Sequence, residues 1–463
     1  MRKRLVVWLA LAAGVAGCAS GATSPPASSL PATSAGPTST EKVEPATAGW
    51  PAYHGNAQRT GAVAGLPAAG RLFIHWSRRL DGAVYGQPLI IGQTVIAATE
   101  SNRVYGLSRA TGRVLWSVQA ASGHPVPLSA QPCGNLSPLG ITSTPVYDPA
   151  TRLVYVVAET TGARQVLAGI RPGTGQVAMR RVIPAPDGHA AYDQQRGALA
   201  LAGGRIYVVF GGHFGDCGPY RGSVAAVPAS GSGPILSYVI PTVKQAGIWA
   251  PGGPVVSPWG TIYVSSGNGG AFKPPYDGSD SVIALTPRLK RIGVFAPQRW
   301  TEDNSGDLDL GSSSPALLPG GRILQVGKSQ FGYLLNAHHL GGVGGQLAEG
   351  QVCASFGGPA VSGSVVYVPC YGTGLSAVSV ASGRVQVLWR GAAAAGGSPV
   401  VGGGAVWVAD WNAGILYELN PATGRIRYQI GLGSALPHFV SPSLSGSLLL
   451  IGTLHGVVAV SGA

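Results

Sequence analysis

The stretch Gln87-Pro88-Leu89-Ile90-Ile91-Gly92, then Thr94 to Thr99, Val104-Tyr105-Gly106-Leu107 and Thr111-Gly112-Arg113-Val114-Leu115-Trp116 decides how this chain folds. It reads as a small or polar residue plus Pro opening a short apolar strand, a Gly turn, a β-branched strand, a loop, a third strand, and a Thr-Gly turn into a fourth. The opening returns as Thr144-Pro145, Gly253-Pro254, Ser314-Pro315, Gly358-Pro359, Ser398-Pro399 and Ser441-Pro442, with Gly197-Ala198 standing in for it in the third copy. The closing turn returns as Gly173-Thr174-Gly175, Ser382-Gly383 and Thr423-Gly424 and is degraded in the middle copies. No copy can bury both of its faces alone, so neighbours must stack, which is the signature of propeller blades. The expected fold is all-β: an eight-bladed β-propeller with four-stranded antiparallel blades.

The two ends of the repeat array predict closure of the ring. The eighth copy stops at Val457 to Ala463 without its last strand, while Phe73-Ile74-His75-Trp76-Ser77, ahead of the first copy, resembles Val114-Leu115-Trp116-Ser117. An N-terminal strand completing the last blade removes open sheet edges that invite aggregation.

Composition agrees with many short strands: the 463 residues include 72 Gly and 36 Pro, and only 11% are charged. Arg2, Lys3 and Arg4 followed by apolar Leu5 to Val15 form an export signal, too short to span a bilayer comfortably. Val15-Ala16-Gly17-Cys18 resembles a bacterial lipobox, which implies a lipidated Cys18 as the mature N-terminus; an ordinary cleaved signal is the alternative. Residues 19–48 are almost wholly Ala, Ser, Thr, Pro and Gly and read as a disordered tether, with the propeller over 49–463. The expected location is therefore extracytoplasmic, anchored to the cell membrane, as a monomer. The net charge of +13 suits anionic envelope polymers or lipid head groups, or solubility alone. Without a basic stripe interleaved with aromatics, nucleic acid is not an expected partner.

Four cysteines remain after Cys18, an even number that favours two disulfides in an oxidising compartment, free buried thiols being the alternative. Cys353 precedes the first strand of copy six and Cys370 ends its second, so hairpin register around Ser362-Gly363 brings them together. Cys133 precedes copy two and Cys217 follows the second strand of copy three, on the same face. No Cys-x-x-Cys-His is present, which excludes a covalently attached c-type haem.

The repeats with their Thr-Gly-x-x-x-Trp ending resemble the pyrroloquinoline-quinone (PQQ) repeat superfamily over about residues 50–463, and Trp50-Pro51-Ala52-Tyr53-His54-Gly55-Asn56 resembles the segment that leads into the ring in those proteins. The superfamily holds both dehydrogenases and cofactor-free scaffold lipoproteins, so the resemblance speaks for the fold more than for an activity.

Loops after the second strand of each blade gather on one face near the axis, where binding sites form. Here they carry Glu100, Glu159, His213, Asn268, Lys328, Tyr371, Trp411 and His455, although exposed loops are polar in any case. Copies four and five resemble quinoprotein alcohol dehydrogenases. Trp249 lies about twenty residues before Gly267-Asn268, like the Trp under the quinone and the Asn on its calcium. Asp307-Leu308-Asp309-Leu310-Gly311 resembles the segment with the catalytic Asp, and Gly327-Lys328 the one whose Lys or Arg contacts the quinone.

The resemblance implies Asn268 and Asp307 or Asp309 as hard oxygen ligands of calcium, with Glu159 as a further ligand by loop position. It implies Asp307 or Asp309 as the group taking an alcohol proton, Trp249 as the stacking floor and Lys328 as the counter-charge to a reduced quinone. Asp307 to Asp309 can equally be a blade-opening turn, and Trp249 a core or rim residue. The chain lacks the adjacent cysteine pair that often covers the quinone. Two functions follow: a binding or scaffold lipoprotein whose axial face recognises a protein or envelope glycopolymer, without an assured cofactor, and a PQQ- and calcium-dependent alcohol or sugar dehydrogenase. His338-His339 reads as a solvated turn, and no hydrolase elbow, zinc-protease or phosphate-loop motif is present.

Overall fold

The structure, a computed structural model, describes residues 49–462 apart from residue 65, residues 67–69 and residues 392–395. Cys18 and the tether over 19–48 lie outside the described residues. Eight separate sheets follow one another along the chain. Blade 1 is the meander Leu89–Ile91, Thr94–Ala98, Arg103–Ser108, Val114–Gln119. Blades 2 to 7 open with Val146–Asp148, Ala200–Ala202, Val255–Val256, Ala316–Leu318, Ala360–Ser362 and Val400–Gly402. Blade 8 is Ser443–Ser445, Leu448–Thr453 and Gly456–Gly462, completed on the outside by Leu72–Arg79. That closing strand runs antiparallel from Leu72↔Gly462 to Arg79↔Gly456, with a bulge between Ile74 and Trp76.

Two blades carry a fifth strand. Asp193–Gln194 adds to the second strand of blade 3, and Gly342–Val343, from an insertion in blade 5, pairs in parallel with the outer strand of blade 4. The middle strands are buried on both faces, as in Leu153–Thr160, whereas outer strands such as Ile426–Gly431 face solvent. Apolar area removed from water between blades therefore supplies the main cohesion.

The Thr-Gly-x-x-x-Trp ending has a physical cause that spans two blades. Trp76, Trp116 and Trp389 each donate from the indole N–H to a carbonyl of the next blade, Arg109, Pro172 and Pro421, all at 2.9 Å. Each ring lies flat over the turn glycine of that blade, and a Cβ on Gly112, Gly175 or Gly424 would come within 2.5, 2.6 or 2.3 Å of it. In blade 2 the same place is taken by Met179, which packs against Gly231.

The innermost strands would leave a row of backbone groups unpaired around the axis, and the segment Trp50 to Val63 covers them. Trp50 exchanges both backbone bonds with Ile90 (2.8 and 3.1 Å), and Pro51 accepts from Tyr147 N–H (2.8 Å). The Arg59 guanidinium donates to the carbonyls of Leu199 (2.7 Å) and Pro254 (3.2 Å). Thr60 and Gly61 then accept from Val361 and Val401 N–H (both 2.7 Å). The segment thus touches blades 1, 2, 3, 4, 6 and 7, and His54 Nε2 reaches Ser441 Oγ of blade 8 at 3.1 Å.

Cys133 is bonded to Cys217 (Cα–Cα 6.2 Å), closing 84 residues across blades 2 and 3, and Cys353 to Cys370 (5.6 Å), closing 17 within blade 6.

Candidate functional site

Blades 4 and 5 set one cluster at the axis. Asn268 follows the strand Ile262–Ser265, Lys328 follows Arg322–Val326, and the short helix Trp300–Ser305 delivers Asp307 and Asp309 between them. Asp309 Oδ1 accepts from the Asn268 backbone N–H at 2.7 Å, and its Oδ2 lies 2.6 Å from Lys328 Nζ. Asp307 Oδ1 accepts from Asn268 Nδ2 at 2.7 Å and from Lys328 Nζ at 3.0 Å. Trp249 completes the group, with Lys328 Nζ 5.9 Å from its ring. A glycine precedes both polar residues for a steric reason: a Cβ on Gly267 would fall 2.0 Å from Asp309 Oδ1, and one on Gly327 would fall 2.6 Å from the Asp309 carbonyl oxygen. Asp307 holds a left-handed backbone (φ 54°), a conformation that Asp tolerates better than most residues.

Burial raises the pKa of Asp309, while Lys328 and the Asn268 N–H work in the opposite direction. For Lys328, burial opposes the charge, and the carboxylates of Asp309 and Asp307 outweigh it and raise the pKa. The 2.6 Å contact between Lys328 Nζ and Asp309 Oδ2 holds the pair in place. A third carboxyl, Asp280, lies fully buried beside it; its Oδ1 accepts from Leu310 N–H (2.9 Å) and its Oδ2 has no partner. Burial and then Asp309 push its pKa well above the usual range.

On the opposite side of the axis, blades 6, 7 and 8 supply aromatic rings. Trp249, Phe356 and Phe439 form a triangle with centroids 6.1 to 6.3 Å apart, Phe356 and Phe439 being nearly parallel at 17°. Outside it, Tyr371 packs on Phe356 at 5.4 Å and His438 sits between Trp411 (4.3 Å) and Phe439 (4.0 Å). Phe356, Tyr371, Trp411, Asn412, His438 and Phe439, with Gly372 and Gly396, enclose a cleft of about 310 Å³. Burial and the nearby Arg196 lower His438 to about 4, so the imidazole lining the cleft is neutral.

Of the residues expected from sequence, Trp249, Asn268, Asp307, Asp309 and Lys328 converge, and Tyr371 and Trp411 line the neighbouring cleft. Glu159 does not join them. It lies inside the strand Leu153–Thr160 rather than in the loop after it, buried near Glu100 and Asp193, where desolvation raises it to about 8. His213 is buried apart from the cluster and His455 is exposed. Arg196, Phe356, His438 and Phe439, which sequence reading did not select, all sit just ahead of a blade opening, as Trp249 does.

The residues do not fit a quinone–calcium centre in this arrangement. Asn268 Oδ1 is buried without a partner, as a metal ligand should be, but Lys328 Nζ occupies the carboxylate oxygens that a divalent cation needs. Among the described residues no three His, Cys, Asp or Glu side chains are grouped to hold a metal. Phe356 and Phe439 pack on Trp249, the expected floor.

Part of the chain is 27% identical over 266 residues to polyvinylalcohol dehydrogenase of Sphingopyxis sp. (strain 113P3), covering 52% of this chain and 36% of that protein, so the chain spans about a third of that relative's length. A europium-containing methanol dehydrogenase superposes with a TM-score of 0.71 at 13% identity, covering 90% of this chain and 98% of the other. BamB from Moraxella catarrhalis superposes at 0.59 and 14% identity, covering 85% of this chain and 100% of its own. At such identities the structural likeness speaks for the fold, which is that of quinoproteins and BamB alike. Residues 56–285 and 299–460 match one family along nearly the whole ring, and the chain belongs to that family, described as outer membrane protein assembly factor BamB.

Proposed function

We propose that the chain is an exported, lipid-anchored propeller that works by binding, its axial cleft receiving the end of an envelope saccharide. The observation that carries this reading is the cleft of about 310 Å³ between Phe356, Tyr371, Trp411 and Phe439. Its size lies at the small end for ligand pockets, which suits one ring or chain end rather than a protein surface. Aromatic faces with Asn412 and the neutral His438 beside them suit a polyhydroxylated ligand, flat on one side and hydrogen-bonding on the other. The name of the Sphingopyxis relative points to a polyhydroxylated substrate, which is in keeping with this choice. The signal sequence with Cys18 supports anchoring, and the two disulfides suit an oxidising compartment.

The test is titration of the purified protein with oligosaccharide fragments of the envelope, followed through tryptophan fluorescence. Binding weakened at least tenfold in Trp411→Ala supports the reading, and binding unaffected by that change overturns it.

A second reading, a PQQ- and calcium-dependent alcohol or sugar dehydrogenase, is favoured by one observation: the partnerless Asn268 Oδ1 beside Asp309, Lys328 and Trp249. It requires Lys328 to release Asp309, and Phe356 and Phe439 to uncover Trp249. Titration with PQQ and calcium, read by absorbance and dye-linked alcohol oxidation, separates the two. Stoichiometric binding lost in Asn268→Ala or Lys328→Ala establishes the dehydrogenase, and absence of binding at excess cofactor removes it.

A further inference from the structure

Behind Phe439 lies a second, smaller space. Tyr53, Tyr85, Gln87, Thr142 and Arg196 are among its walls, and it measures about 20 Å³, room for one water. His438 and Phe439 line both this space and the aromatic cleft, so the two are separated by one pair of side chains.

Arg196 is the anomaly of this cavity. Among the described residues its guanidinium makes no hydrogen bond or ion pair; its Nε is buried with no acceptor, the Phe439 ring lies 4.4 Å from the guanidinium carbon, and Tyr85, Glu100 and His438 are the titratable groups near it. Arg196 is only half-buried, so its Nη groups keep some access to solvent, while the buried Nε has no acceptor and the cation–π contact is its main protein partner. The nearest acid, Glu100, does not serve. Its Oε2 is engaged by Gly140 N–H at 2.6 Å, and burial raises its pKa to about 7, which leaves it a weak counter-ion. Arg59, the buried guanidinium of the segment over the axis, is by contrast satisfied by three carbonyls.

The partition itself is strained. Phe439 holds φ at 68°, a left-handed conformation that is strained for a bulky side chain. Such strain needs a reason, and here it sets the ring across the guanidinium.

We infer that Arg196 is the anion-binding end of the axial site, taking the carboxylate of a sugar acid whose ring lies in the aromatic cleft. This rests on the cleft being a ligand site. The carboxylate reaches the guanidinium as Phe439 turns aside, and two N–H groups meet two oxygens. Asn412 and His438 remain for the hydroxyls.

The experiment uses the full protein with three probes at matched ionic strength, glucuronate, glucose and acetate, read by tryptophan fluorescence and thermal melting, in wild type, Arg196→Gln and Trp411→Ala. Glucuronate is expected to bind tighter than glucose, by about 10- to 100-fold, the range of a charge-assisted pair. Arg196→Gln is expected to erase that preference while its ligand-free melting temperature is unchanged or higher, since it removes an uncompensated charge. A lower melting temperature together with an intact glucuronate preference marks Arg196 as structural and overturns the inference. Equal binding of glucose and glucuronate overturns it and leaves the cleft standing. Acetate and glucuronate binding lost in Arg196→Gln but untouched by Trp411→Ala leaves a bare anion site at Arg196, removes the cleft and overturns the sugar-acid inference. No response to any probe removes both.

Discussion

Gly175→Ala tests the inter-blade lock that underlies the whole repeat. Gly175 sits at φ 75°, and a Cβ there would lie 2.6 Å from Trp116 Cε3. Two costs follow. The left-handed backbone disfavours any L residue by about 1–2 kcal/mol. The indole must also move, which breaks the Trp116 Nε1 to Pro172 carbonyl bond of 2.9 Å, worth about 1 kcal/mol, and loosens its packing. The sum is about 2–4 kcal/mol. Gly92 separates the terms, because it has φ 59° and nothing within 4 Å of its Cβ position. Gly92→Ala is therefore expected to cost only about 1–2 kcal/mol. Urea unfolding at 25 °C measures both, with Gly175→Ala repeated in a Trp116→Leu background, where the excess over Gly92→Ala should vanish. A double-mutant coupling below about 0.5 kcal/mol, or equal costs at Gly92 and Gly175, refutes the lock.

Other expectations concern charge and cross-links. Lys328→Met is expected to cost about 2–3 kcal/mol in urea unfolding, since it leaves Asp309 buried without its partner, and Lys328→Met with Asp309→Asn should recover part of it. Burial holds Glu159 near pH 8, far above its unfolded value near 4.3, so the folded state retains that proton and stability declines as pH rises between these values. Glu159→Gln should flatten that decline and leave the variant the more stable protein at pH 8; parallel urea midpoints at pH 5, 6.5 and 8 would count against it. By chain entropy the 84-residue disulfide contributes about 1.5 kcal/mol more than the 17-residue one, so replacing Cys133 and Cys217 by Ser should lower the urea midpoint further than replacing Cys353 and Cys370.

Blade number, ring closure and first strands were legible because each depends on local chemistry: an opening proline, a turn glycine, an alternating strand. The role of Trp116 was hidden, since its partner Gly175 belongs to the next blade. Asn268 and Lys328 were legible because each follows a glycine at the end of a second strand, the one place where a side chain must emerge on the axial face. Glu159 misled because the strand Leu153–Thr160 runs one residue beyond it, which turns a presumed loop position into a buried one. Arg196, Phe356 and Phe439 were not chosen because they precede the blade openings, in three segments far apart in sequence, and only closure of the ring brings them to one place. Sequence spacing carries no trace of such contacts.

The two halves of the axis differ in whether they are electrostatically complete, and this decides which is more informative about a ligand. In blades 4 and 5, Lys328 is matched by Asp307 and Asp309, and Asn268 bridges both carboxylates, so the cluster is stable by itself and would stand in a protein that binds nothing. Any cation entering there must first displace an ammonium 2.6 Å from its carboxylate. Arg196, from blade 3, has no such partner, and the rings beside it leave an accessible cleft. A compensated pair resists a ligand, whereas an uncompensated charge next to open space is relieved by one. On the proposed reading of the axial cleft, binding is governed from the Arg196 side of the axis, with the Asn268, Asp309 and Lys328 cluster as a fixed wall.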